Sequence, residues 1–253
     1  MGAYRNLITL ITISMLFFSP ILTAYANSEE TMPSDTIGSF DRLQSPFVVN
    51  KGQIDNKDVA YFAKLISGVI HIDKNGMVTY NLSSPDKKAI VINEIFTEKK
   101  ITLTALEPMP ETAIAAFRQR GQITGDFSSI YYRLCYGAIY EGIDLQLLAF
   151  TDGLEKIFTI SPGGDPNRIT VTLKGAEGLN VNDAGMLEIR TKQGPVTFSR
   201  PHAYQFTGEE RKPVDIVYII RKDAAYGFKL GSYDTTKPLF IAPIIPALLL
   251  SAP

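Results

Sequence analysis

Residues 140–191 read YEGIDLQLLAFTDGLEKIFTISPGGDPNRITVTLKGAEGLNVNDAGMLEIRT, a series of short strand patterns separated by Gly, Asp, Asn and Pro turns. Ile143 to Phe150 and Leu154 to Ile160 flank Thr151-Asp152-Gly153, an Asp-Gly signal for a tight hairpin. Counted outward from that turn, Phe150 is expected opposite Leu154 and Asp144 opposite Ile160. Ser161 to Pro166 holds two prolines and two glycines in six residues, which excludes a regular ladder and marks a loop. Ile169 to Leu173 then alternates in strand fashion, and Leu179 to Val181 and Met186 to Arg190 flank Asn182-Asp183-Ala184-Gly185. No catalytic constellation accompanies this rhythm.

The same pattern extends to both sides. Phe47 to Val49 enters the turn Asn50-Lys51-Gly52-Gln53, and Val59 to Leu65 resumes an apolar strand. Val69 to Asp73 and Met77 to Leu82 flank Lys74-Asn75-Gly76, where Asn-Gly suits the positive φ angles of hairpin turns. Ile90 to Phe96, Ile101 to Leu106, His202 to Phe206, Val214 to Ile220, Tyr226 to Leu230 and Leu239 to Ile241 complete the set. Between Pro110 and Gly121, Ile114, Phe117 and Arg118 stand at helical spacing. The expectation is an all-β protein of antiparallel sandwich or meander units with at most one short helix. Two stacked subdomains are expected, 40–125 and 126–243, dividing near residue 125.

The two ends read differently. Arg5 leads into the apolar run Leu7 to Phe18, Ser19-Pro20 breaks it, and Ala24-Tyr25-Ala26 offers the small residues of a signal-peptidase site. The run is about 12 residues, short of the roughly 20 that span a bilayer, so residues 1–26 are expected to be a signal peptide cleaved after Ala26. Export to the periplasm or the exterior follows, with no membrane span after cleavage. Residues 27–39 read as a flexible polar leader. Residues 244–253 read as an apolar tail, which Pro246 and the preceding Pro243 are expected to keep out of any ladder.

Composition narrows the function classes. A formal net charge of −1 offers no basic face for nucleic acid. The lone Cys135 cannot form an internal disulfide and is expected to serve as a small buried hydrophobe, so stability must come from the core.

The runs IYEGIDLQLLAF and LEKIFTISPGGDPNRITVTLKGAEGLNVNDAGMLEIRT, with RPHAYQ, YDTTKPLFIAP and Asn50-Lys51-Gly52-Gln53, carry a resemblance in their order and spacing. The chain resembles, from Phe47 to Pro243, the uncharacterised all-β domain found ahead of β-propeller (SBBP-type) repeats in secreted bacterial proteins. It departs from that pattern at Glu141, where a proline is usual, and at Ala242, where an aspartate is usual. The resemblance implies location and architecture. It transfers no catalytic residue.

Chemistry read from the residues themselves is sparse. The two histidines, His71 and His202, lie far apart without Cys or paired carboxylates at ligand spacing, so no metal site and no cofactor are expected. Nucleophile-elbow, Walker and dinucleotide glycine motifs are missing. Glu141, Asp144 and Glu155 flank one hairpin, and a glycosidase needs two carboxyls about 5–10 Å apart, yet the expected register does not face Asp144 to Glu155. Asp165 is expected to brace its own loop rather than bind calcium. Tyr131 and Tyr140 are the candidate ligand contacts, able to stack on a sugar ring or meet a partner. Tyr132, Leu134 and Tyr136 are expected to alternate on one face and fill the core. The leading expectation is a secreted or cell-envelope structural or interaction module without enzymatic activity, whose partners are envelope or surface proteins or polysaccharide. A carbohydrate-binding module comes second and a glycoside hydrolase-like enzyme third.

Overall fold

The computed structural model describes residues 43–83, 88–119 and 129–246, with backbone alone at 116–117 and 244–246. The expected signal peptide, leader and residues 247–253 of the tail lie outside the described residues. In chain order the strands are β1 (Phe47–Val49), β2 (Val59–Leu65), β3 (Gly68–Asp73), β4 (Val78–Ser83), β5 (Ala89–Ile95) and β6 (Thr104–Pro108). The helix α1 (Glu111–Gln119) follows, then β7 (Ile130–Tyr140), β8 (Ile143–Phe150), β9 (Gly153–Ile160), β10 (Val171–Lys174), β11 (Gly178–Val181), β12 (Leu187–Thr191) and β13 (Gly194–Phe198). The last are β14 (Ala203–Thr207), β15 (Glu210–Val214), β16 (Ile216–Arg221), β17 (Ala225–Leu230), β18 (Leu239–Ile241) and β19 (Ile244–Pro246). Among the described residues the architecture is all-β with one short α-helix, as the turn rhythm predicts.

Most strands belong to one antiparallel sheet, ordered β15-β14-β18-β9-β8-β7-β1-β2-β3-β4-β5-β10-β17-β16, which nearly closes into a barrel. β6 adds to β7, and β19 extends along β9. The subdomain boundary expected near residue 125 falls in 120–128, outside the described residues. Strands from both sides of it share this sheet, because β1 lies between β2 and β7 and β10 pairs with β5. A second sheet, β11-β12-β13, contributes Leu187, Ile189, Val196 and Phe198 to the same buried core.

Period-two alternation decides which side chains enter that core. On β8, Ile143, Leu145, Leu147 and Ala149 are buried while Asp144, Gln146, Leu148 and Phe150 take the other face. On β9, Leu154, Phe158 and Ile160 point inward together with Lys156. Two smaller clusters pack elsewhere. One joins Val48, Phe62, Met109 and Ile130 to Ile114 of α1 and to Tyr132. The other joins Ile157, Tyr204, Phe240 and Ala242. Leu134 and Tyr136 fill the main core as expected, but Tyr132 packs in the former satellite instead.

The β8–β9 hairpin forms one residue tighter than the count predicts. Gly153 itself pairs with Phe150, leaving Thr151-Asp152 as the turn, so Leu154 faces Ala149 and Asp144 faces Thr159. The tail expectation is corrected as well. Ile244 and Ile245 pair with Glu155 and Leu154, and Pro246 pairs with Gly153. Proline is excluded from ladder interiors, whereas here it stands at a strand end, where its missing N–H removes little pairing.

Candidate functional site

Tyr131 and Tyr140 occupy opposite ends of β7. Nine residues of extended chain at ~3.3 Å per residue put them about 30 Å apart, so they do not share one stacking platform. Tyr131 is half-buried and pairs with Phe47 and Pro108. The Tyr140 hydroxyl donates to the Thr170 carbonyl at 3.2 Å, and the Arg168 guanidinium lies 5.9 Å from its ring centroid.

The sequence motifs that stood out act as loop braces. Asn50 Oδ1 accepts from the N–H groups of Gly52 and Ile54, at 3.1 and 3.0 Å, while its Nδ2 donates to the carbonyls of Ile54 and Val59. One side chain thus organises the whole β1–β2 connection, as short polar side chains do when they replace backbone partners. Asn182 Oδ1 accepts from Ala184 and Met186 in the same way, and Nδ2 donates to Glu188. Asp165 accepts from Asn167 N–H at 3.0 Å and caps the 3₁₀ turn Pro166–Arg168. Gln205 exchanges two 2.8 Å hydrogen bonds with the backbone of Asp234, tying β14 to the turn before β18.

The hairpin carboxylates do not converge. Asp144 faces Thr159 and Glu155 faces Leu148 across the ladder, while Glu141 forms a 3.5 Å ion pair with Arg168. Burial raises the Asp144 carboxyl above its ordinary pKa. Among the described residues no group of three or more His, Cys, Asp or Glu is placed to hold a metal ion. A surface cleft of about 550 Å³ beside the β3–β4 turn is lined by Asp73, Asn75, Gly76, Lys99 and Tyr136. Its Asp73 Oδ1 is committed to the N–H groups of Asn75 and Met77.

Among the described residues, one constellation with chemical potential is sealed inside. Lys156 of β9 and Glu94 of β5 are both 0 % exposed, with Nζ 2.7 Å from Oε1. Lys156 Nζ also donates to the Tyr226 hydroxyl at 2.7 Å, and Tyr226 O–H donates to the same Oε1 at 2.7 Å. Tyr80 O–H donates to Oε2 at 2.6 Å. Aromatic rings wall the group: Lys156 Nζ lies 4.7 Å from the Phe198 centroid, 5.4 Å from that of Tyr226 and 5.9 Å from that of Phe96. Along the sheet six strands separate β9 from β5, so this contact crosses the interior. Burial pushes the Lys156 ammonium below the ordinary lysine pKa, against the opposing pull of Glu94. Burial first, and the Glu94 charge second, push the hydroxyls of Tyr80, Tyr136, Tyr218 and Tyr226 well above the ordinary tyrosine value. A buried charge pair is tolerated only when its remaining lone pairs and protons find partners, and the two tyrosines supply them.

Fold and site together define an all-β protein with one nearly closed antiparallel sheet and a buried ionic centre of Lys156, Glu94, Tyr80 and Tyr226. The chain belongs to the family described as Domain of unknown function (DUF7948), which covers residues 47–244. Comparison with curated proteins and with solved structures gives no match.

Proposed function

We propose that this chain is a secreted or cell-envelope structural or interaction module that presents a surface and turns over no substrate. The contrast between the two edges of the main sheet carries the reading. Natural edge strands are usually blunted by charge or proline. β15 follows that rule with exposed Glu210, Arg211, Lys212 and Pro213. β16 does not: Ile216-Val217-Tyr218-Ile219-Ile220 is apolar, with Val217 46 % and Ile220 47 % exposed, and among the described residues no strand pairs with its second side. Such an edge suits addition of an extended partner segment, whose backbone pairs with the strand while its side chains meet the exposed Val and Ile. The apolar run at Leu7–Phe18 supports export, as does the resemblance to a domain of secreted bacterial proteins.

The test is the double variant Val217→Lys/Ile220→Lys. Both positions are exposed, so thermal melts should match the wild type, while envelope proteins retained by the wild type should be lost. Retention of the same proteins by the variant, or turnover of a glycan or peptide panel by the wild type, overturns the reading.

A further inference from the structure

We propose that Lys156 and Glu94 condense within the folded chain to an internal amide, Nζ to Cδ, which staples β9 to β5 across the interior of the sheet. Four observations converge on it. The amine and the carboxyl are 2.7 Å apart. Neither is exposed. Each carboxyl oxygen has its own hydroxyl donor. The box of Phe96, Phe198 and Tyr226 rings is one in which a neutral amide is better accommodated than two ions.

The step balances without any co-reactant. Proton transfer from the ammonium to Oε1 turns the ion pair into a neutral amine and a carboxylic acid, and burial assists by lowering the affinity of Lys156 for its proton. Nζ attacks Cδ, and negative charge develops on Oε2, where the Tyr80 O–H already points at 2.6 Å. The N–C bond forms and the Cδ–Oε1 bond breaks. Tyr226, which accepts from Nζ and donates to Oε1, relays a proton from nitrogen to the departing oxygen and ends unchanged. The ammonium and carboxylate thus become –NH–CO– and one water, with nothing oxidised or reduced. Fixed placement of the two reactants supplies the effective concentration that free lysine and glutamate lack. The staple would close a loop across 62 residues of sequence, independently of any partner at β16.

Intact-mass spectrometry of the denatured full chain decides the matter. The expected mass is lower than that of the same polypeptide by one water, and proteolysis should yield one branched peptide joining the segments that contain Glu94 and Lys156. That peptide should be absent from Lys156→Arg and reduced in Tyr226→Phe, which keeps the ring and removes the relay. An unreduced mass with two separate linear peptides overturns the proposal. So does a water loss that maps instead to Asp152-Gly153, where an aspartyl-glycine bond can dehydrate on its own.

Discussion

Replacing Gly76 by alanine should destabilise the protein by an amount that separates backbone strain from steric crowding. Gly76 closes the β3–β4 turn at φ +83°, a region that costs an L-residue about 1–2 kcal/mol. An added Cβ there would also collide with Ile101 Cδ1 and lie 2.7 Å from Tyr136 Cε1. Tyr136 has little room to yield, because its hydroxyl donates to the Gly76 carbonyl at 2.8 Å and its ring meets Phe96 edge-on at 5.6 Å. Overpacking of this kind costs about 1–3 kcal/mol, so Gly76→Ala should lose about 2–5 kcal/mol in total. Gly163 provides the control, with φ +79° and nothing within 4 Å of an added Cβ, so Gly163→Ala should lose about 1–2 kcal/mol and no more. Urea unfolding of the two variants beside the wild type, at unchanged m-value, measures both numbers. Equal losses at the two glycines would refute the steric argument and the placement of Tyr136 against the turn.

Lys156→Met leaves Glu94 buried without its partner and should cost about 3–5 kcal/mol by urea unfolding; a loss below about 1 kcal/mol would show that the centre is not closed as described. Ile241→Ala removes a fully buried side chain from β18, between β9 and β14, and should cost about 2–5 kcal/mol, whereas deletion of residues 239–253 removes Leu239, Phe240 and Ile241 together and should leave no cooperative melt. Burial lowers the pKa of His71 and of His202, the latter also through Arg200, so the unfolded chain binds protons more readily. Their contribution to stability is therefore full above the unfolded value of about 6.5 and declines as pH falls below it. Melting temperatures should drop from pH 7 to pH 5.5, and a His71→Gln/His202→Gln variant should show a flatter profile over that window.

What the sequence made legible was local. The Asp-Gly and Asn-Gly turns, the alternation along β8 and the spacing of α1 all act within about ten residues, where turn chemistry and side-chain period decide the outcome. Partners distant in sequence left no such trace. Nothing in Val171–Lys174 announces that it pairs with β5, because an apolar strand offers the same ladder to any neighbour of matching direction. Between Phe206 and Val214 the charges of Glu210, Arg211 and Lys212 and the ring of Pro213 show no strand alternation, yet Glu210–Val214 is a strand. At a sheet edge one side of the ladder remains in water, so charge and proline impose little loss there. Ile244–Pro246 was hidden by Pro246 and the preceding Pro243, for the related reason that strand ends tolerate what strand centres do not.

The ionic centre was hidden in a different way, and its signal lay in parity rather than in composition. Charged side chains are so rarely buried that nothing in the composition singles out Lys156 or Glu94. Yet Lys156 shares its strand face with Leu154, Phe158 and Ile160, and Glu94 shares its face with Ile90 and Ile92, so alternation aims both charges inward. One charge at an inward position is a cost that a single strand cannot offset. Two of opposite sign, on strands that meet across the interior, offset each other, and the tyrosines at position 80 of β4 and position 226 of β17 supply the remaining hydrogen bonds. The conflict between a residue's charge and its strand parity therefore marks where to look. Finding its partner requires the tertiary arrangement, since the two stand 62 positions apart in sequence with six strands of the sheet between them.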